Sequence, residues 1–69
     1  MKELWCCTEG DEWEFFDSEE TARLAYNKWC IINNEKFDED IFQMCYKPIH
    51  MSKGVTVWTK DNLDEYNPS

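Results

Sequence analysis

Cys6, Cys7, Cys30, Cys45 and His50 carry enough soft and borderline ligand atoms for a zinc ion, so metal chemistry is the first reading to weigh. The spacing argues against it. Structural zinc sites pair cysteines two to four residues apart on a turn, whereas adjacent Cys6 and Cys7 on a strand point to opposite faces. A cysteine nucleophile would need a base, and the chain has one histidine. His50 lies just past Pro48, with no Asn or Asp placed to orient it. Carboxylate pairs are frequent only because carboxylates are frequent. Two distant glycines, Gly10 and Gly54, cannot build a phosphate-cradling loop. The expectation is therefore no catalytic residue, no metal site and no cofactor, with the cysteines acting as small core hydrophobes.

The carboxylates remain, and their distribution is uneven. From Glu3 to Glu20 there are eight acids (Glu3, Glu9, Asp11, Glu12, Glu14, Asp17, Glu19, Glu20) and no Lys or Arg, whereas Thr21 to the end holds seven acids against six bases. The formal net charge of −8 thus resides in the first third. Direct nucleic-acid binding is excluded on sign, because phosphate contacts demand a basic patch. Clustered like charge costs a folded domain self-repulsion and in return gives solubility or steering toward a positive partner. Solubility accounts for net charge more easily than for its segregation.

The elements that must position these groups follow from patterning. Sixty-nine residues allow one domain, 1–69, because a chain this short buries only roughly 60% of its unfolded surface. Eleven aromatics compensate for length, since each removes about 150–250 Å² from water. A core this small leaves a homodimer open. Leu4–Thr8 and Glu12–Phe16 read as a hairpin joined through Glu9-Gly10-Asp11, with Trp13 and Phe15 facing inward and Glu12, Glu14 and Phe16 outward. Alternate strand residues lie about 6.7 Å apart, so Glu12 and Glu14 fall near two phosphate steps of about 3.4 Å on a nucleic-acid strand.

A helix then runs from a cap at Asp17 or Ser18 to about Ile32 and stops at Asn33-Asn34, with Ala22, Ala25, Tyr26, Trp29 and Ile32 buried and Arg23, Asn27 and Lys28 outside. Helix capping by itself explains Asp17, Glu19 and Glu20. Residues 37–47 fit either period: Phe37, Ile41, Met44 and Cys45 recur as on a helix capped by Asp38, while Ile41–Lys47 also alternates as a strand. A strand is favoured there because Val55–Thr59 needs a neighbour, and Pro48 suits an edge. Residues 60–69 read as one short turn around Leu63 and Tyr66 or as a loose polar tail. The sum is an α+β domain in the order ββαββ, an antiparallel sheet with one helix packed on it.

Taken whole, the acidic, tryptophan-bearing hairpin from Trp5 to Phe16 and the join Phe15-Phe16-Asp17-Ser18-Glu19-Glu20-Thr21-Ala22-Arg23-Leu24-Ala25-Tyr26 resemble small acidic proteins encoded by bacteriophages, including those that block host defence or nucleic-acid enzymes. The resemblance implies an anti-defence or host-takeover inhibitor acting by protein–protein contact, a nucleic-acid mimic in effect. On the residues themselves, the expected partner is a basic protein surface of a nucleic-acid enzyme or defence complex, met by Glu9, Asp11, Glu12, Glu14, Glu19 and Glu20, with Phe16 as the exposed aromatic anchor. The alternative is a non-inhibitory structural or adaptor protein, dimeric or not. Met1-Lys2-Glu3-Leu4-Trp5 lacks a basic start followed by an apolar stretch, and no run approaches the roughly 20 apolar residues of a membrane span. A cytoplasmic location is expected, the host cytoplasm for a phage-encoded chain.

Overall fold

Strand alternation begins at β1 (Lys2–Cys7), where Trp5 and Cys7 pack toward the main core while buried Leu4 and Cys6 lie on the opposite sheet face. The computed structural model describes residues 2–8, 13–51 and 54–67. Strand β2 (Glu14–Phe16) pairs antiparallel with β1 in the register Trp5↔Phe16, Cys6↔Phe15 and Cys7↔Glu14. This reverses the expected facing of the second strand. Phe16 is fully buried beside Trp5, Phe15 is half-buried on the other face, and Trp13 is 59% exposed. Adjacent Phe15 and Phe16 place one ring on each face whatever the register; the helix layer decides which ring enters the core.

That layer is α1 (Glu19–Ile32), capped by Ser18, whose Oγ accepts from the Thr21 backbone N–H at 3.2 Å. Asp17 supports the same turn by accepting from Thr21 Oγ1 at 2.6 Å. The helix ends as its asparagines predict. Asn34 takes a left-handed φ of 56°, Glu35 N–H reaches back to Cys30 O at 2.8 Å, and Asn34 N–H reaches Ile31 O at 3.3 Å. Ala22, Ala25 and Tyr26 are buried and Trp29 is half-buried. Ile32, expected inside, is 51% exposed, because the returning chain closes over Cys30 instead: the Cys30 thiol donates to Lys36 O at 3.8 Å.

The ambiguous segment resolves into both of its readings in succession. Residues Glu39–Cys45 form a second helix, α2, and Tyr46–Met51 form β3, so the strand begins at Tyr46 and not at Ile41. Asp38 Oδ1 caps α2 by accepting from Asp40 N and Ile41 N, and Phe42 and Cys45, three apart, supply its buried face. The strand starts where a partner exists, with Tyr46 opposite Cys7 and Pro48 opposite Trp5. The sheet order is β3-β1-β2-β4, with β4 limited to Val57–Trp58. Strands β2 and β4 pair in parallel (Phe15↔Val57, Phe16↔Trp58), so the α+β sheet is mixed and not wholly antiparallel, and it carries two helices where one was expected. A long crossover through α1, α2 and β3 makes that parallel pairing feasible.

The chain closes with a 3-10 turn, Leu63–Glu65, that buries Leu63 and Tyr66. For residues 60–67 the helical turn, not the loose tail, is what forms. Tyr66 sets its ring edge-on to Phe16 at 5.8 Å and to Trp58 at 5.2 Å. From there a continuous aromatic core runs through Tyr46 to Phe42, Tyr26 and Trp5. Edge and offset ring contacts of this kind add roughly 0.5–1.5 kcal/mol each beyond the area they bury.

Candidate functional site

The carboxylates singled out by the sequence separate into three groups. Glu9, Asp11 and Glu12 lie outside the described residues. Glu14 is half-buried beside Cys7 and accepts from Trp58 Nε1 at 2.8 Å, so it ties β4 to β2 instead of standing free on an outer face. Glu19 and Glu20 are exposed at the start of α1 and ion-paired: Glu19 Oε2 with Arg23 Nε at 2.8 Å, Glu20 Oε1 with Lys60 Nζ at 2.6 Å. Phe16 cannot be an exposed anchor. It is the floor of the core at 0% exposure.

Arg23 is the group whose role sequence reading missed. It was expected largely outside, yet it joins the two helices: Nη1 and Nη2 grip both oxygens of Glu39 at 2.7 and 2.8 Å, and the guanidinium sits 4.4 Å above the Phe42 ring. Hydrogen bonds from Arg23 and then from Gln43 hold the Glu39 carboxyl down to about 2, and the same carboxylates push the Arg23 guanidinium upward. The Glu19–Arg23 spacing, four residues on one helix, was the only local signal. Lys28 is also turned inward along the flank, donating to the carbonyls of Leu63 at 2.9 Å and Asp64 at 3.2 Å.

These attachments consume cations and leave carboxylates. Glu35, Asp40, Asp61, Asp64 and Glu65 are exposed and make no ion pair among the described residues. Beside them lie apolar side chains that the buried-stripe reading of the helix did not register. On α1, Leu24 is 44% and Ile31 72% exposed; on α2, Ile41 and Met44 are exposed as well. Their signal in the sequence is an exception: aliphatics at i and i+7 on the face opposite Ala22, Ala25 and Trp29.

Of the four cysteines, Cys6, Cys30 and Cys45 are buried and Cys7 is half-buried. Burial, and then neighbouring Cys7, push the Cys6 thiol up. The core tyrosines are held neutral in the same way, burial driving Tyr66 up to about 12 and Tyr46 further. No group of three or more His, Cys, Asp or Glu side chains among the described residues could hold a metal ion. Every buried side-chain polar atom among them has a hydrogen-bond partner. No described helix is long and apolar enough to cross a membrane.

The sheet edges are poor templates for pairing with another chain. Thr8 N–H bonds to Cys45 O at 3.0 Å, which fixes the ladder phase so that Tyr46, Pro48 and His50 present their backbones outward from β3. Tyr46 N–H is spent on Phe42 O, and Pro48 has no N–H, while β4 at the other edge is two residues long. No family model, curated protein or solved structure matches the chain.

Proposed function

We propose that this is a non-enzymatic binding protein that docks a carboxylate-rich surface on the Lys/Arg-lined groove of a nucleic-acid-handling protein and excludes DNA or RNA from it. The carrying observation is charge segregation: eight acids and no base between Glu3 and Glu20. Local structure accounts for part of that charge. Asp17 and Ser18 start α1, Glu14 holds Trp58, and Glu19 and Glu20 pair with Arg23 and Lys60. The acids of the β1–β2 connection, Glu9, Asp11 and Glu12, are the ones assigned to the partner, with the exposed oxygens of Glu19 and Glu20 extending the same charge. Such a field raises encounter rate and fixes register, while apolar contacts supply most of the affinity. The resemblance to small acidic phage proteins fits an inhibitor acting in a host cytoplasm on a defence or nucleic-acid enzyme.

Affinity capture from bacterial lysate tests this reading. Wild-type protein is expected to retain a nucleic-acid-binding protein at low salt, to release it as salt is raised, and to be displaced by duplex DNA. Charge reversal of Glu9, Asp11 and Glu12 to Lys should abolish retention. If no nucleic-acid-binding protein is retained, or the reversed variant holds it equally well, the acidic segment is a solvated surface and the reading fails. A second reading, an adaptor without inhibitory action, is favoured by the exposed aliphatics of α1 and α2, and it predicts capture that tolerates both salt and charge reversal.

A further inference from the structure

We infer that the outward face of α1 is a second docking surface, built for a cationic amphipathic helix of the partner: an apolar ridge of Leu24 and Ile31 framed on both flanks by carboxylates. The inference takes from the functional reading only that the partner is cationic, and it places contact on a face that reading does not use. Single exposed aliphatics are ordinary and need no explanation. These two are placed otherwise. Seven residues apart on α1, they lie two turns, about 10 Å, apart on one line, with Glu20 one turn before Leu24 and exposed Asn27 between.

The helix's long side chains would normally lean over such residues and cover them. Here they are pulled to the sides. Arg23 is drawn down one flank by Glu39, and Lys28 down the other by the carbonyls of Leu63 and Asp64. The exposed groups beside those attachments are chiefly acids: on the Arg23 side Glu39, paired with Arg23, and its chain neighbour Asp40, and on the Lys28 side Asp64 and Glu65 in the closing turn with Asp61 just before it, next to the Lys60 that pairs with Glu20. A second copy of this chain is the wrong occupant, since an isologous contact through this face would set acidic borders against each other on a chain of net charge −8. A helix with a Leu-type seam and Lys or Arg on either side satisfies ridge and borders together.

The test uses the full chain, isotopically labelled, and a synthetic Leu/Lys helix of about four turns with Leu at i, i+3, i+4 and i+7. A scrambled peptide of the same composition has no apolar seam. Amide shifts are expected to centre on Leu24, Asn27, Lys28 and Ile31, with the scrambled peptide binding more weakly. The double variant Leu24→Ser, Ile31→Ser should lose on the order of tenfold in affinity while still melting cooperatively, its midpoint lowered only by the modest helix-propensity cost of two mid-helix serines. Reversal of Glu9, Asp11 and Glu12 should leave the α1 shifts in place. Shifts spread evenly over carboxylate residues, equal binding of the scrambled peptide, or an unaffected double variant would each overturn the inference. So would concentration-dependent self-association that the double variant abolishes, because a second copy would then own the face. Lysate capture that fails while the α1 shifts persist would refute the nucleic-acid partner and leave this surface standing.

Discussion

Arg23 shows how much of the arrangement one side chain carries. Its guanidinium links Glu19 on its own helix to Glu39 on the next while lying on the Phe42 ring, so a surface ion pair adds to the buried Tyr26–Phe42 contact that packs α1 on α2. Exposed ion pairs contribute little stability, about 0–1 kcal/mol at the median, so a melting curve is the wrong readout. Titration is the right one. The Glu39 carboxyl is held down to about 2 by Arg23 first and Gln43 second, against an ordinary value near 4.5. A carboxylate whose value is depressed by folding stabilises the fold above its unfolded value and loses that contribution as pH falls through the folded one. The Glu39–Arg23 link should therefore be fully present above about pH 5 and dissolve on approach to pH 2. Arg23→Gln should return the Glu39 titration, followed by carboxyl NMR, toward the ordinary range. A wild-type Glu39 that already titrates there would show that Arg23 does not hold it in solution.

At the scale of elements, α1 depends on its entry. Ser18 Oγ satisfies the Thr21 N–H, and Asp17 takes the Thr21 hydroxyl. Ser18→Ala should cost about 1 kcal/mol, which in a domain of this size lowers the melting temperature by roughly 4–8 °C, whereas Ser18→Asp should restore it. An unchanged melt for Ser18→Ala would mean that Asp17 alone sustains the turn. This helix was legible in the sequence because its signals are local: cap, apolar stripe and the left-handed Asn34 all lie within its own residues. The α2–β3 junction was not, because helix and strand divide a single apolar run and the boundary is set by a distant partner, Cys7 opposite Tyr46. The facing of β2 was hidden for a similar reason, as Phe15 and Phe16 satisfy either choice until α1 covers one side. Of the candidate site, Glu19 and Glu20 were readable as helix-start acids, and Pro48 as an edge residue. Glu14 was misplaced because its partner, Trp58, lies far along the chain.

For the molecule as a whole, the magnitude that matters is the screening length against the size of the body. The domain measures 36 × 25 × 23 Å, and at 0.01 M salt the Debye length is about 30 Å, so every carboxylate is felt by nearly every other; at 0.15 M it is about 8 Å and only neighbours interact. Two opposing effects of salt follow. Screening weakens the ion pairs among the described residues, Arg23–Glu19, Arg23–Glu39 and Lys60–Glu20, each exposed and of small worth. It also relieves the self-repulsion of a net charge of −8, which the compact state concentrates and the unfolded chain spreads out. Short-range pairs at 2.6–2.8 Å lie well inside the Debye length at either salt concentration, whereas repulsion among the dispersed acids does not, so relief of repulsion should dominate. The melting temperature is expected to rise between 0.01 M and 0.15 M sodium chloride and to rise less in the variant with Glu9, Asp11 and Glu12 reversed to Lys, which carries less net charge. A melting temperature that falls with salt would show that the ion pairs outweigh the field. In that case the clustered acids would cost the fold little, and their segregation would no longer call for a partner to explain it.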